Sequence, residues 1–256
     1  MKNKLQILVL SFDGFSDIWP IFFDSFYKNW IDCPFKINLI TNYKKYEDER
    51  VNSIKTGEDV SWSYNLMKAL VTLETDYVLI LYDDAIINKP VNSKKILEFL
   101  DICYKLKLNY FRLRNSPDPD IRINEEYGEI LRNSYYRTSL FSSIINRKVL
   151  LNLLRAEENA WDFEFNGTYR SRNLSGFFAT YEYHIPILHA IEKGKWREEA
   201  VILAKSFGID CGKRGYYIPT KSNLKQSLKQ KIIFFIPQKY HIRLIYWVRK
   251  LKKLLR

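Results

Sequence analysis

Apolar positions along the first hundred residues switch between two spacings, and the switch sets the expected architecture. Short apolar runs at Leu5–Ser11, Phe35–Thr41 and Tyr77–Tyr82, with a further one at Tyr110–Arg114, read as strands. The unbroken run Val78-Leu-Ile-Leu81 is what a strand buried on both faces requires. Between the first two runs, Ile21, Phe22, Ser25, Phe26 and Trp30 recur at helical spacing and predict a helix over Ile18–Trp30. Ser61 opens a second helix in which Leu66, Leu70 and Leu73 share a face. A third is expected over Ser93–Leu106, capped by Asn92 or Ser93, with Ile96, Phe99, Leu100 and Cys103 inward. Strands and helices alternating in this way predict an α/β fold, a mainly parallel sheet flanked by helices.

Past Asn115 the alternation breaks up. Ser116-Pro-Asp-Pro119 reads as a turn, and Arg122–Tyr136 as irregular or hairpin-like. Helices return at Arg147–Arg155 and Trp196–Phe207, and Gly212–Thr220 reads as a linker. Two parts are therefore expected: a domain over residues 1–220 and a tail over residues 221–256. In the tail Leu244, Trp247, Val248, Leu251, Leu254 and Leu255 form an apolar helical stripe among basic residues. Such a helix suits an anionic membrane surface; the other reading is a C-terminal helix docked on its own domain.

Charge sharpens this division. The 256-residue chain carries a net charge of +12, yet residues 221–256 hold eleven Lys or Arg and no Asp or Glu. The rest of the chain is close to neutral, which argues against a nucleic-acid-binding globule. Three scattered cysteines argue against a disulfide framework or a cysteine-based zinc site and point to a reducing compartment. The apolar N-terminal run is too short for a signal peptide and leads straight into Asp13, so it reads as a strand.

The strand Tyr77–Tyr82 runs directly into Asp83 and Asp84. In open α/β sheets ligands bind beyond the carboxyl ends of the strands. Two adjacent carboxylates there repel unless a cation offsets them, and a hard divalent metal bridging to a diphosphate would do so. The segment Arg155–Glu164 surrounds Trp161 with Glu157, Glu158, Asp162 and Glu164, and Arg170 and Arg172 follow. It could supply a general base, an aromatic plane for a sugar face and guanidinium groups for an acidic acceptor. It reads equally as a helix start with dipole-favoured acids and a core tryptophan. His189 is a candidate third metal ligand and Lys195 a phosphate contact. Asp59 and Trp62, at the start of the second helix, could contact a base or ribose, or Asp59 could be a cap. No glycine-rich phosphate loop, nucleophile elbow or His-Glu-x-x-His motif occurs.

Taken in order, several segments resemble bacterial glycosyltransferases of surface-polysaccharide gene clusters. They are Trp19-Pro-Ile-Phe-Phe23, Trp30-Ile-Asp-Cys-Pro-Phe-Lys-Ile-Asn-Leu39, Ser61-Trp-Ser63, Ala69-Leu70, the Asp83-Asp84 strand, Glu158-Asn-Ala-Trp-Asp-Phe-Glu164 and Gly194-Lys-Trp196. The resemblance covers roughly residues 5–215. It implies a GT-A-like nucleotide-diphospho-sugar fold and a role in capsule or lipopolysaccharide O-antigen assembly. This chain has Ala160 where the family often has proline, and Tyr82-Asp83-Asp84 where many relatives have a spaced Asp-x-Asp.

The expectations are then specific. A nucleotide-diphosphate sugar would be held by Ser11, Asp13, Asp59, Trp62, Asp83 and Lys195. Mn²⁺ or Mg²⁺ would sit on Asp84, with Asp83 and His189 in reserve. Glu158 is the first choice of base, then Glu164, then Asp162, if the chemistry is inverting. Trp161, Arg170 and Arg172 would meet a lipid-linked or oligosaccharide acceptor. The expected location is the cytoplasm, peripheral on the inner face of the membrane. Two other classes stay open: a metal-dependent nuclease or phosphatase using Asp83 and Asp84, and a non-catalytic membrane-associated binding protein.

Overall fold

A computed structural model of the chain describes residues 4–212 and 214–218. The tail expected at residues 221–256 lies outside the described residues. The first apolar run forms β1 (Leu5–Leu10), buried at every position. α1 (Trp19–Asn29) carries Pro20 in its first turn, where a missing N–H leaves no partner unsatisfied. β2 (Lys36–Thr41) lies parallel to β1, and β3 (Val51–Lys55) parallel to β2. The apolar pattern does not announce β3, an edge strand with only Val51 and Ile54 buried.

α2 (Trp62–Val71) begins where the Ser61 hydroxyl accepts the Tyr64 N–H at 3.0 Å, and that hydroxyl also donates to the Ala156 carbonyl. Ser61→Ala is expected to cost about 1 kcal/mol. A urea unfolding midpoint equal to that of the parent would show that the cap is dispensable. β4 (Tyr77–Tyr82) runs parallel to β1 on its other side and is followed by β5 (Ala85–Ile87) and α3 (Ser93–Lys105). Asn92 caps α3, accepting the Lys95 N–H at 3.1 Å.

β6 (Tyr110–Arg112) is shorter than its apolar run because the Arg112 guanidinium turns back onto the carbonyls of Arg114, Pro117 and Tyr136. The irregular region holds a hairpin of β7 (Ile121–Arg122) and β8 (Tyr127–Glu129). β9 (Ser143–Asn146) then inserts antiparallel between β4 and β6, a placement with no sequence signal. α4 (Arg147–Leu153), α5 (Ala160–Arg170) and β10 (Phe177–Thr180) follow. β11 (Ile187–His189) pairs with β5, and β12 (Ile191–Glu192) with β13 (Lys195–Trp196). α6 (Glu198–Ser206) starts after Trp196, which the hairpin claims.

The large sheet has the order β3-β2-β1-β4-β9-β6-β10-β8-β7. It is parallel from β3 to β4 and mixed beyond, as the α/β reading expects. Ile7, Val9, Leu79 and Leu81 face α1 and α3; Leu8, Leu10, Val78 and Ile80 face α2, α4 and α5. No helix among the described residues is long and apolar enough to cross a membrane.

Candidate active site

The parallel strands end together, and the chain builds a pocket on that edge. Pairing of β1 with β4 continues one step past the strands, where the Asp83 N–H donates to the Leu10 carbonyl at 3.3 Å. This sets Ser11 beside Asp83. The Ser11 hydroxyl donates to the Asp83 carboxylate and itself accepts from Trp19 Nε1 at 2.7 Å. Burial raises the Asp83 carboxyl well above the ordinary range; the Ser11 hydrogen bond opposes this and the neighbouring Asp84 charge adds to it. Asp83 is thus committed inward, which argues against a nuclease or phosphatase that needs both carboxylates on metals.

Asp84 remains half-exposed on the cleft side. The β5–β11 ribbon pairs His189 with Ala85, and the Ala190 N–H donates to the Asp84 carbonyl at 2.7 Å. Burial raises the Asp84 carboxyl, and the His189 charge pulls it back down. The fold therefore joins two residues a hundred positions apart. Asp84 lines a cleft of about 430 Å³ whose walls include Ser11, Phe12, Asp59, Trp62, Asn65, Tyr82, Ala160 and Trp161. Asn65 Nδ2 donates to Asp59 at 2.8 Å, and Asn65 Oδ1 is buried without a hydrogen-bond partner. A larger cavity of about 590 Å³ opens at the opposite sheet edge beside Gln6, Asn38 and Asn52, far from the paired carboxylates.

Residues 158–172 form most of α5 and its entry, and they divide sharply in role. Glu158 is buried and holds Arg170 in a fork, with N···O distances of 2.7 and 2.6 Å, while Asn166 Nδ2 donates to it at 2.7 Å. This is a correction to both expectations: both Glu158 oxygens are engaged by Arg170, with Asn166 also on Oε1, and Arg170 is committed to that pair. Asp162 exchanges cap contacts with Asn159, accepting Nδ2 at 2.7 Å and donating its N–H at 2.9 Å, so it too serves the helix start. Trp161 is 73% exposed at the cleft mouth, against the reading that buried it in the core. Gly167 lets the helix pack closely: a Cβ there would lie 3.1 Å from Thr138 Oγ1 and from the Phe163 ring.

Glu164 is the carboxylate of this segment whose charge, like that of Asp84, reaches Tyr82. Burial raises its pKa; a Ser139 hydrogen bond, the Arg114 charge and the Leu140 N–H oppose the rise. Its charge and that of Asp84 both act on Tyr82, whose hydroxyl is pushed well up, chiefly by burial. Arg114 Nη2 donates to Ser139 Oγ at 2.9 Å, its guanidinium lies 5.2 Å from the Phe141 ring, and its Nε is buried without a partner. Phe141 also approaches Tyr82 at 6.1 Å and His189 at 6.2 Å between ring centroids. Arg114, Ser139 and Phe141 escaped the sequence reading, though two arginines at alternate positions ending an apolar run were a signal.

Two expected donor contacts sit elsewhere. The Asp13 carboxylate accepts the backbone N–H groups of Asn42, Tyr43 and Lys44 at 2.9, 3.0 and 3.1 Å, clasping the turn after β1 to the loop after β2. Lys195 is exposed on the β12–β13 hairpin, outside the cleft walls. The cation that senses Asp83 is instead Arg214, paired with Asp17 at 2.5 and 2.6 Å and lying 4.4 Å from the Phe15 ring. Trp62 packs on Phe163 at 5.8 Å, and Arg172 stacks on Tyr169 at 4.5 Å.

No family profile matches the chain, and no curated protein does. Among solved structures, it is similar to residues 1–349 of TarS from S. aureus, at 11% identity and a TM-score of 0.48, over 72% of this chain and 59% of that one. It is similar to the mannosyltransferase PcManGT from Pyrobaculum calidifontis, solved with GDP-Man and Mn²⁺, at 12% identity and a TM-score of 0.49. That match covers 76% of this chain and 59% of the other. CMP:2-keto-3-deoxy-manno-octonic acid synthetase, complexed with CTP, aligns at 15% identity and a TM-score of 0.46, over 80% and 98% of the two chains. At these identities no residue's role passes from those proteins to this one.

Proposed function

We propose that the protein is a glycosyltransferase that moves a sugar from a nucleotide diphosphate to a hydroxyl of a lipid-linked or oligosaccharide acceptor. One observation carries the reading: a half-exposed Asp84 at the strand edge, on the wall of a cleft sized for a nucleotide, with His189 beside it on the paired β5–β11 ribbon. Asp59 and Asn65 would read the base edge, with the unpartnered Asn65 oxygen accepting an N–H. Trp62 and Phe12 supply apolar walls. Asp84 and His189 offer an oxygen and a nitrogen, a set that fits a divalent ion completing its shell with diphosphate oxygens and water. Such an ion, when bound, neutralises the charge that grows on the departing diphosphate.

The protein's own groups would do the rest. The acceptor hydroxyl attacks the anomeric carbon, the bond from that carbon to the diphosphate oxygen breaks, and Glu164 takes the hydroxyl proton. Trp161, at the cleft mouth, gives the acceptor ring a plane to rest on. The basic tail would hold the enzyme at the inner leaflet, near an acceptor of surface-polysaccharide assembly. Binding and hydrolysis of UDP-, GDP-, dTDP- and CMP-sugars with Mn²⁺ or Mg²⁺ test the reading, beside Asp84→Ala. One preferred nucleotide is expected, with binding weakened at least tenfold by the substitution or by chelation. Silence across the panel from folded protein refutes it.

A further inference from the structure

The larger cavity, of about 590 Å³, lies where the parallel strands begin. Its volume is within the range of roughly 300–1,000 Å³ that small-molecule sites occupy. Gln6 stands second in β1 and Ser11 just beyond its end, five residues on, or roughly 16 Å along a strand. None of the described residues lines both this cavity and the cleft.

One wall is a ladder of side-chain amides across three neighbouring strands. Asn52 Nδ2 on β3 donates to Asn38 Oδ1 on β2 at 2.9 Å, and Asn38 Nδ2 donates to Gln6 Oε1 on β1 at 3.0 Å. Asn38 Nδ2 also donates to the Ile7 carbonyl at 3.2 Å, and that oxygen can only accept. The carbonyl therefore fixes which way every amide points. Asn38 gives its nitrogen to Gln6 and its oxygen to Asn52, so Gln6 Nε2 and Asn52 Oδ1 are the loose ends. Neither has a hydrogen-bond partner among the described residues. Asn38 is wholly buried and Gln6 only 6% exposed. A buried donor left unpaired costs more than a neighbouring hydrogen bond returns, so Gln6 calls for an acceptor that enters the cavity.

The rest of the wall selects that acceptor. Lys36 and Glu74 line the cavity with opposite charges, so a nucleotide or phosphate would meet as much repulsion as attraction. Burial pushes the Cys33 thiol up to about 12, which keeps it neutral and a poor metal ligand. Pro34, Phe35 and Leu73 add an apolar side. A ligand that suits these walls is neutral, has apolar C–H surface, and carries groups that both donate and accept. Hydroxyl groups do both.

We infer that this cavity is a second, non-catalytic saccharide site, in which a neutral sugar of one or two rings lies on the amide ladder. One hydroxyl oxygen accepts from Gln6 Nε2, and another hydroxyl donates to Asn52 Oδ1. The site uses no residue of the cleft and stands apart from the transferase reading.

The test titrates the full chain by calorimetry with glucose, galactose, mannose, N-acetylglucosamine, cellobiose and chitobiose, beside glycine and inorganic phosphate. Side-chain amide signals are followed by ¹⁵N NMR. At least one sugar should bind, shift the Gln6 and Asn52 amide signals, and stay bound when UDP or GDP is added. Gln6→Glu keeps an oxygen for Asn38 but replaces the outward donor, and should weaken the sugar at least tenfold. Asn52→Ala, at an exposed position, should weaken it roughly three- to tenfold, the worth of one hydrogen bond, and decides the matter if Gln6→Glu does not fold. Lys36→Ala should change it less than threefold. A folded protein that binds none of the sugars overturns the site, since the cavity would then hold water only. So does a sugar displaced by nucleotide or indifferent to Asn52→Ala, and so does glycine or phosphate bound in its place and lost in Lys36→Ala. Nucleotide binding without sugar at the ladder removes this site alone. Sugar at the ladder without nucleotide binding keeps the site and removes the glycosyltransferase.

Discussion

On the proposed glycosyltransferase reading, Glu164→Gln is expected to slow sugar transfer about 10²–10⁴-fold while the nucleotide binds as tightly as to the parent. The substituted amide keeps the shape and the contact with Ser139 but cannot accept a proton. The pH profile identifies the residue more sharply than the rate. Burial holds the Glu164 carboxyl above its ordinary 4.5, and the basic form is the ionised one, so the acid limb of kcat must lie above that value. Arg114→Leu removes a charge that lowers this pKa, and the limb should move further up. Stability runs the other way. A carboxyl raised by burial favours the folded state fully below its unfolded pKa, and the benefit is lost as pH rises through the folded value. Glu164→Gln should therefore unfold at a slightly higher temperature than the parent at neutral pH. An acid limb that survives the substitution takes Glu164 out of the reaction.

Glu158→Ala costs about 3–5 kcal/mol of stability, or roughly 10 °C in unfolding temperature. It strands the Arg170 guanidinium and the Asn166 amide, both of which point at the Glu158 carboxylate. Side-chain exposures of 7% for Glu158 and 21% for Arg170 leave little water to take over. The double variant Glu158→Leu with Arg170→Met should recover most of the loss, because the penalty comes from the unpaired partner rather than from the pair's absence. Calorimetric unfolding of the three proteins decides it: equal losses in single and double variants would show that the pair's own attraction matters most. Activity in the surviving folded fraction should be retained, which a catalytic Glu158 would not allow.

These two glutamates show where sequence reasoning reaches its end. They are six positions apart on one segment, both beside Trp161, and composition treats them alike. Their roles are set by what comes from elsewhere in the chain. Arg170 returns from the last turn of α5 to lock Glu158, whereas Ser139, Leu140 and Arg114, from the connection around β9, leave Glu164 held yet chargeable. Asp83 and Asp84 divide for a similar reason. One meets Ser11 from β1 and turns inward, and the other meets His189 from β11 and stays at the cleft.

The sequence by itself determined the parts whose physics is local. Unbroken apolar runs specified β1, β2 and β4; helical apolar spacing specified α1 to α3, with Ser61 and Asn92 caps starting α2 and α3; the strand leading into Asp83 and Asp84 located the edge where a cleft would form. Burial of both sheet faces leaves such runs few alternatives. Tertiary structure alone decided the rest. β3 and β9 owe their existence to neighbours rather than to their own residues, since an edge strand and a four-residue insert carry little apolar signal. The cleft likewise required Ser11, Asp59, Asp84 and Trp161 to arrive from separate segments. Burial and the charges of non-local neighbours, not residue type, fix which carboxylate is locked in an ion pair and which is left chargeable.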